Sequence, residues 1–269
     1  MTSTTLVRGA PQRGGPTGTQ RRDAWWVAPT ITVVVLTLFV GYSTYAAFAG
    51  DNFFFQGKGA APYLSPFYSP CITEVCGGHI PAAHYNLIKY AISPALVILP
   101  FPLLFRLTCY YYRKAYYRGF WMSPPACAVT EPRKGYTGES RFPLILQNSH
   151  RYWFYFALIF NVILTWDAVD SFRGPNGAFI GVGTLVLTMN AVLLWLYTAS
   201  CHSCRHILGG RLNNFSRHPL RYRFWTFVSR LNPHHMTFAW ASLVWVGLTD
   251  FYIRALAAGW IPTDPKLFT

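Results

Sequence analysis

Two thiols and two imidazoles lie within six residues at Cys201-His-Ser-Cys-Arg-His206, directly after a long apolar segment. Sulfur and nitrogen donors at that density can hold a transition metal or an iron–sulfur cluster. A reducing cytosol favours metal binding by such thiols over a disulfide. Were the helix to continue unbroken, Cys201 and Cys204 would share one face, and His202 and His206 another. Ligation by all four therefore requires the helix to end near Ser200, or imidazoles from other segments must contribute. The alternative is an interfacial Cys/His stretch that holds nothing.

Other donors reach the same level. His150 and His234-His235 open later apolar segments, as interfacial anchors or as ligands. The stretch Gln147-Asn-Ser-His-Arg-Tyr-Trp153 brings hydrogen-bond donors between aromatic rings. Ser149, Arg151, Tyr152 and Trp153, with His235, are equipped to hold a quinone carbonyl beside an apolar slot. A second group, Cys71, Cys76, His79 and His84, has the same donor set on the opposite side, where oxidising conditions favour a Cys71–Cys76 disulfide over a metal. Cys109 and Cys127 have no histidine near them in sequence and read as structural. Asp167, Asp170 and Asp250, with Lys89, fall near outer segment ends, either as wet interfacial groups or as a proton path.

The elements that position these residues are apolar helices. The chain has 269 residues, 52% hydrophobic and only 12% charged, against about a quarter charged in soluble domains. Its net charge of +14 sits in blocks between apolar runs, the layout of a membrane protein, which argues against nucleic acid as a partner. Five segments are long enough to span a bilayer: Trp25–Phe48, Ala83–Leu107, Arg151–Ser171, Gly177–Ser200 and Met236–Leu256. Pro94, Pro100 and Pro102 should kink the second. The short link Phe172–Asn176 makes the third and fourth an antiparallel hairpin.

Segments 1–24, 106–151 and 201–235 hold 18 of the 23 Lys and Arg residues. Positive residues stay cytoplasmic, so the N-terminus is expected inside and the C-terminus outside. Residues 1–24 read as a disordered cytosolic tail, 25–260 as an all-α bundle of five transmembrane helices, and 261–269 as an outer tail. The first apolar segment is too long for a signal-peptide core and is expected to remain in the mature chain. The basic inner loops suit a soluble acidic partner or anionic lipid headgroups.

Between Trp25 and Trp260 the chain resembles the membrane-anchor subunit of succinate dehydrogenase/fumarate reductase, respiratory complex II, in its actinobacterial single-subunit form. The resemblance rests on the topology, on Ser149-His-Arg-Tyr-Trp153 and on Cys201-His-Ser-Cys-Arg-His206. It implies a plasma-membrane (inner-membrane) protein that docks a flavoprotein and an iron–sulfur subunit on its cytoplasmic face and reduces quinone, within a higher oligomer of the complex. Five-helix anchors often hold two b-type haems between paired histidines. The first span here has no histidine, so that arrangement is not expected.

The actinobacterial anchors are associated instead with a membrane-embedded Rieske-type [2Fe–2S] cluster, which takes two Cys and two His. The resemblance then implies Cys201, Cys204, His202 and His206 as ligands, with His150 or His235 as replacements and the outer Cys71, Cys76, His79 and His84 as the other set. No nucleotide-binding fingerprint is present, so succinate itself would be oxidised elsewhere. Two other readings remain: a b-type cytochrome with one haem between His150 and His235, and a cofactor-free transporter or scaffold.

Overall fold

The computed structural model describes residues 19, 21–57, 61–72, 93–132, 138–174 and 177–268. The chain is mostly helical. Helix α1 (Val27–Ala49) is apolar around its whole circumference, and Ile31, Val34 and Leu38 are left exposed as a lipid-facing helix requires. It stops at Gly50, whose φ of 68° is the left-handed cap that glycine adopts most readily. A hairpin follows, β1 (Phe54–Gln56) antiparallel to β2 (Pro62–Leu64).

Two proline-initiated helices come next, α2 (Pro94–Ile98) and α3 (Pro100–Leu107). Pro100 has no N–H to donate, so the run breaks where the sequence places the kink. The earlier part of that expected span lies outside the described residues. Helix α4 (Tyr110–Gly119) occupies what reads in sequence as a basic loop. A 3-10 turn over Leu144–Ser149 leads into α5 (His150–Asp170).

The connection after α5 is longer than the expected five-residue turn. Strands β3 (Arg173–Gly174) and β4 (Gly177–Ala178) pair, and β5 (Ile180–Gly181) pairs with the C-terminal β6 (Lys266–Phe268). Helix α6 (Val182–Ala199) therefore starts at Val182 rather than Gly177. The glycines at 174, 177 and 181 favour extended and turn backbone over helix here. After α6 come α7 (His202–Gly209), α8 (Pro219–Leu231) and the long α9 (His235–Ala257). Among the described residues four stretches are long and apolar enough to cross a membrane: Val27–Ala49, Leu144–Asp170, Val182–Ala199 and Pro219–Ala257.

Helix α6 packs between α5 and α9, α3 lies on α5, and α1 lies against α4 and α9. At one end of the bundle the links β1–β2, β3–β5 and the C-terminal tail are pinned by buried carboxylates. Asp264 accepts from the Tyr63 hydroxyl at 2.7 Å, the Tyr252 hydroxyl at 2.5 Å and the Gly183 amide at 3.0 Å. That bonding leaves the Tyr63 ring no freedom to move. A Cβ on Gly183 would stand 2.4 Å from the ring. Gly183→Ala should therefore destabilise the protein by about 1–3 kcal/mol, as overpacking does. An unchanged thermal unfolding midpoint in detergent would contradict this reading of the contact.

Thr19 bridges Val129, and Arg21 donates to the Cys127 carbonyl at 2.9 Å. Residues 1–18 and 20 lie outside the described residues.

Candidate metal centre at the helix junctions

The break required after Ser200 is present. Helix α6 ends at Ala199, and Cys201 takes an extended conformation (φ −65°, ψ 142°) before α7 begins. The Cys201 thiol caps α7 by accepting from the Ser203 amide at 3.4 Å and is buried in the bundle, with only 1% of the residue exposed. His202 and His206 stay on the surface, and Cys204 is half-buried. The six-residue motif therefore contributes one thiol to the interior.

Three residues from elsewhere meet it. Cys109, at the α3–α4 junction, and His235, the first residue of α9, are also only 1% exposed. His150, the first residue of α5, is half-buried. The His150 Nε2 lies 3.2 Å from the Cys201 Sγ, and the His235 Nε2 lies 3.5 Å from the Cys109 Sγ. All four donors come from the ends of helices, where the chain direction changes and a side chain can point into the bundle rather than across it.

The other ring nitrogen of each histidine is also held. The Thr108 hydroxyl lies 2.9 Å from the His150 Nδ1, and the Ser200 hydroxyl 2.8 Å from the His235 Nδ1. A hydroxyl has one proton to give. Thr108 donates its proton to the Leu104 carbonyl at 2.7 Å, and Ser200 to the Tyr197 carbonyl at 3.1 Å. With its proton on that carbonyl, each hydroxyl can accept from an Nδ1–H of its histidine. The tautomer with its proton on Nδ1 leaves Nε2 unprotonated toward the thiol, as a metal-binding imidazole needs.

The arrangement has a crossed symmetry. Thr108 grips His150, while its neighbour Cys109 faces His235. Ser200 grips His235, while its neighbour Cys201 faces His150. Flat rings close the sides: Phe105 stacks on His150 at 4.8 Å and Tyr197 on His235 at 5.0 Å. Among the described residues no three His, Cys, Asp or Glu side chains converge on one point as a single ion would require. The donors instead form two facing thiol–imidazole pairs.

The other sequence candidates are distributed differently. His202 and His206 line a surface depression with Arg151, Arg205 and Trp225. Arg151 and Tyr152 border a second depression, which reaches His150 past Thr108, Arg113 and Gln147. Ser149 accepts from the Trp153 indole at 2.8 Å. Cys71 is buried and disulfide-bonded, whereas Cys76, His79, His84 and Lys89 lie outside the described residues. Asp167 accepts from Ser69, and Asp170 lies 3.6 Å from Arg173. Asp250 is fully buried and accepts from Tyr42 at 2.6 Å, from Ser65, and from the Arg254 guanidinium at 2.9 Å.

The family description for actinobacterial succinate dehydrogenase subunit SdhC matches residues 27–259. A solved structure, the Mycobacterium smegmatis Sdh1 complex in the apo form, contains a chain 48% identical in sequence, with a TM-score of 0.82. The match covers 97% of this chain and 98% of that one. No curated protein matches.

Proposed function

This chain belongs to the actinobacterial succinate dehydrogenase SdhC family, and on that premise we propose how it works as the membrane anchor of such a complex. Five spans cross the plasma membrane, with the N-terminus in the cytoplasm and the C-terminus outside. The four-donor site then lies at the cytoplasmic end, bordered by the basic α4, α7 and α8. The flavoprotein and iron–sulfur subunits dock on that face, and the chain passes their electrons to quinone.

Cys109, Cys201, His150 and His235 would hold a Rieske-type [2Fe–2S] cluster. When bound, it stores one electron at a potential set by its protein surroundings. The single observation that carries this reading is the donor set: two buried thiols facing two imidazoles, each imidazole held at its other nitrogen by a hydroxyl. Such donors fit a two-iron group, since a soft sulfur pair and an imidazole pair are what it takes. Thr108 and Ser200 orient the rings and raise the basicity of each Nε2. Phe105, Tyr197 and the bundle exclude water. The single-haem reading leaves the two buried thiols of Cys109 and Cys201 without a role.

Metal analysis tests the reading. The purified complex should carry this chain's iron and acid-labile sulfide in equal amounts, beyond what the soluble subunits hold, with a Rieske-type electron paramagnetic resonance signal. Zinc in place of iron on this chain, with no labile sulfide, would overturn it.

A further inference from the structure

The surface depression that holds His202 and His206 has a volume of about 580 Å³ and lies where α7 and α8 meet the start of α5. Two guanidiniums, Arg151 and Arg205, line it with the two imidazoles, and no carboxylate does. The whole segment 201–235 contains six arginines and neither Asp nor Glu. Among the described residues the ion pairs belong to Arg21, Arg113, Arg173 and Arg254. Arg151 and Arg205 therefore keep their N–H groups for something else. Cations gathered in a recess without a counter-charge attract an anion.

The wall is shaped as well as charged. Arg205 is half-buried, with its guanidinium over the Trp225 ring at 5.0 Å. A Cβ on Gly209 would stand 2.4 Å from that ring, so α8 lies this close to α7 because residue 209 has no side chain. A ring rather than a carboxylate thus holds Arg205 in place.

Position selects the anion. His202 lies just past the end of α6, and Arg151 is the second residue of α5. From Arg151 onward the same face of α5 carries Tyr155, Ile159, Val162 and Trp166, all exposed and three or four residues apart. That is a lipid-facing stripe with the depression at its head. An acidic side chain from a soluble partner would use the charges alone, whereas a phospholipid uses charges and stripe together.

We propose that this depression binds the phosphate of an anionic phospholipid of the cytoplasmic leaflet, with Arg151 and Arg205 donating to its oxygens and the acyl chains along the exposed face of α5. The proposal takes from the reading above only that this end of the bundle faces the cytoplasm. A guanidinium presents paired donors that match two phosphate oxygens. Basic recesses at the cytoplasmic ends of spanning helices suit such headgroups.

The assembled complex, reconstituted into vesicles with spin-labelled lipids, provides the test. It should immobilise phosphatidylglycerol in preference to phosphatidylcholine. Arg151→Gln and Arg205→Gln should each lower that preference about fivefold, and the pair together further. Arg223→Gln removes an exposed charge of α8 outside the depression and should leave the preference intact. No preference in the wild-type complex, or an equal loss in Arg223→Gln, would overturn the proposal. A preference abolished by inorganic phosphate at equal concentration would make this a free-phosphate site and overturn it too. Release of the soluble subunits from the double variant, with lipid preference unchanged, would assign the depression to an acidic protein partner instead. A complex that lacks membrane iron yet still prefers phosphatidylglycerol would overturn the cluster and support this site.

Discussion

Cys109→Ser should strip the complex of the membrane iron and labile sulfide, whereas Cys204→Ser should leave both in place. The two thiols differ in what they face. Cys109 points at the His235 Nε2 from 3.5 Å and is almost wholly buried, while Cys204 is half-buried with no imidazole against it. The same contrast applies to the imidazoles. His150→Ala and His235→Ala should each abolish the cluster signal and electron transfer to quinone, and His202→Ala and His206→Ala should spare both. Loss of a ligand removes a metal group outright, whereas loss of the group orienting a ligand is graded. Thr108→Val and Ser200→Ala should therefore retain a cluster but lower its occupancy or the turnover by about 10- to 100-fold. Retention of full iron content in Cys109→Ser, with the complex still assembled, would remove Cys109 from the site.

The membrane class was legible in the sequence because bilayer thickness imposes a length on apolar runs. Spans one, three and five were placed within a residue or two of α1, α5 and α9. Span four began late because a glycine-rich stretch reads as apolar on hydropathy although its backbone pairs as strand with the C-terminal tail. The thiol–imidazole pairs were half legible. Density of donors in sequence drew attention to Cys201-His-Ser-Cys-Arg-His206, but density counts neighbours along the chain, and the thiol–imidazole contacts join neighbours across it.

Cys109 and His235 are 126 positions apart, and His150 and Cys201 are 51 apart. A different signal was present: twice a hydroxyl residue and a cysteine end an apolar segment, as Thr108-Cys109 and Ser200-Cys201, and twice a histidine opens the next. A helix that leaves the membrane and one that re-enters must meet at a single depth. Donors at exits and entries on one side are therefore brought together by topology, whatever their separation. That argument places Cys109 in the set without any imidazole near it in sequence.

The second large effect is expected at the other end of the bundle. Asp250 is fully buried, and its carboxylate is satisfied by the Tyr42 hydroxyl, Ser65 and Arg254. Arg254 in turn donates to the carbonyls of Ala46 at 2.8 Å and Asp51 at 2.7 Å. One ion pair thus ties α9 to the end of α1 and to the loop beyond β2. Removing Asp250 leaves Arg254 only the exposed Asp51 carboxylate at 3.6 Å, and breaking a buried pair costs about 3–5 kcal/mol. Asp250→Ala should therefore lower the unfolding midpoint sharply and expose the 51–70 region to protease. Asp250→Ala combined with Arg254→Met should be less damaging than the sum of the two single changes, because contacting partners do not add. A carboxylate so fully bonded is a pin rather than a relay, so Asp250→Asn, which keeps the shape, should sustain quinone turnover in whatever fraction remains folded. Loss of turnover in a fully folded Asp250→Asn complex would make this residue part of the proton route instead, and strict additivity in the double variant would dissolve the pin.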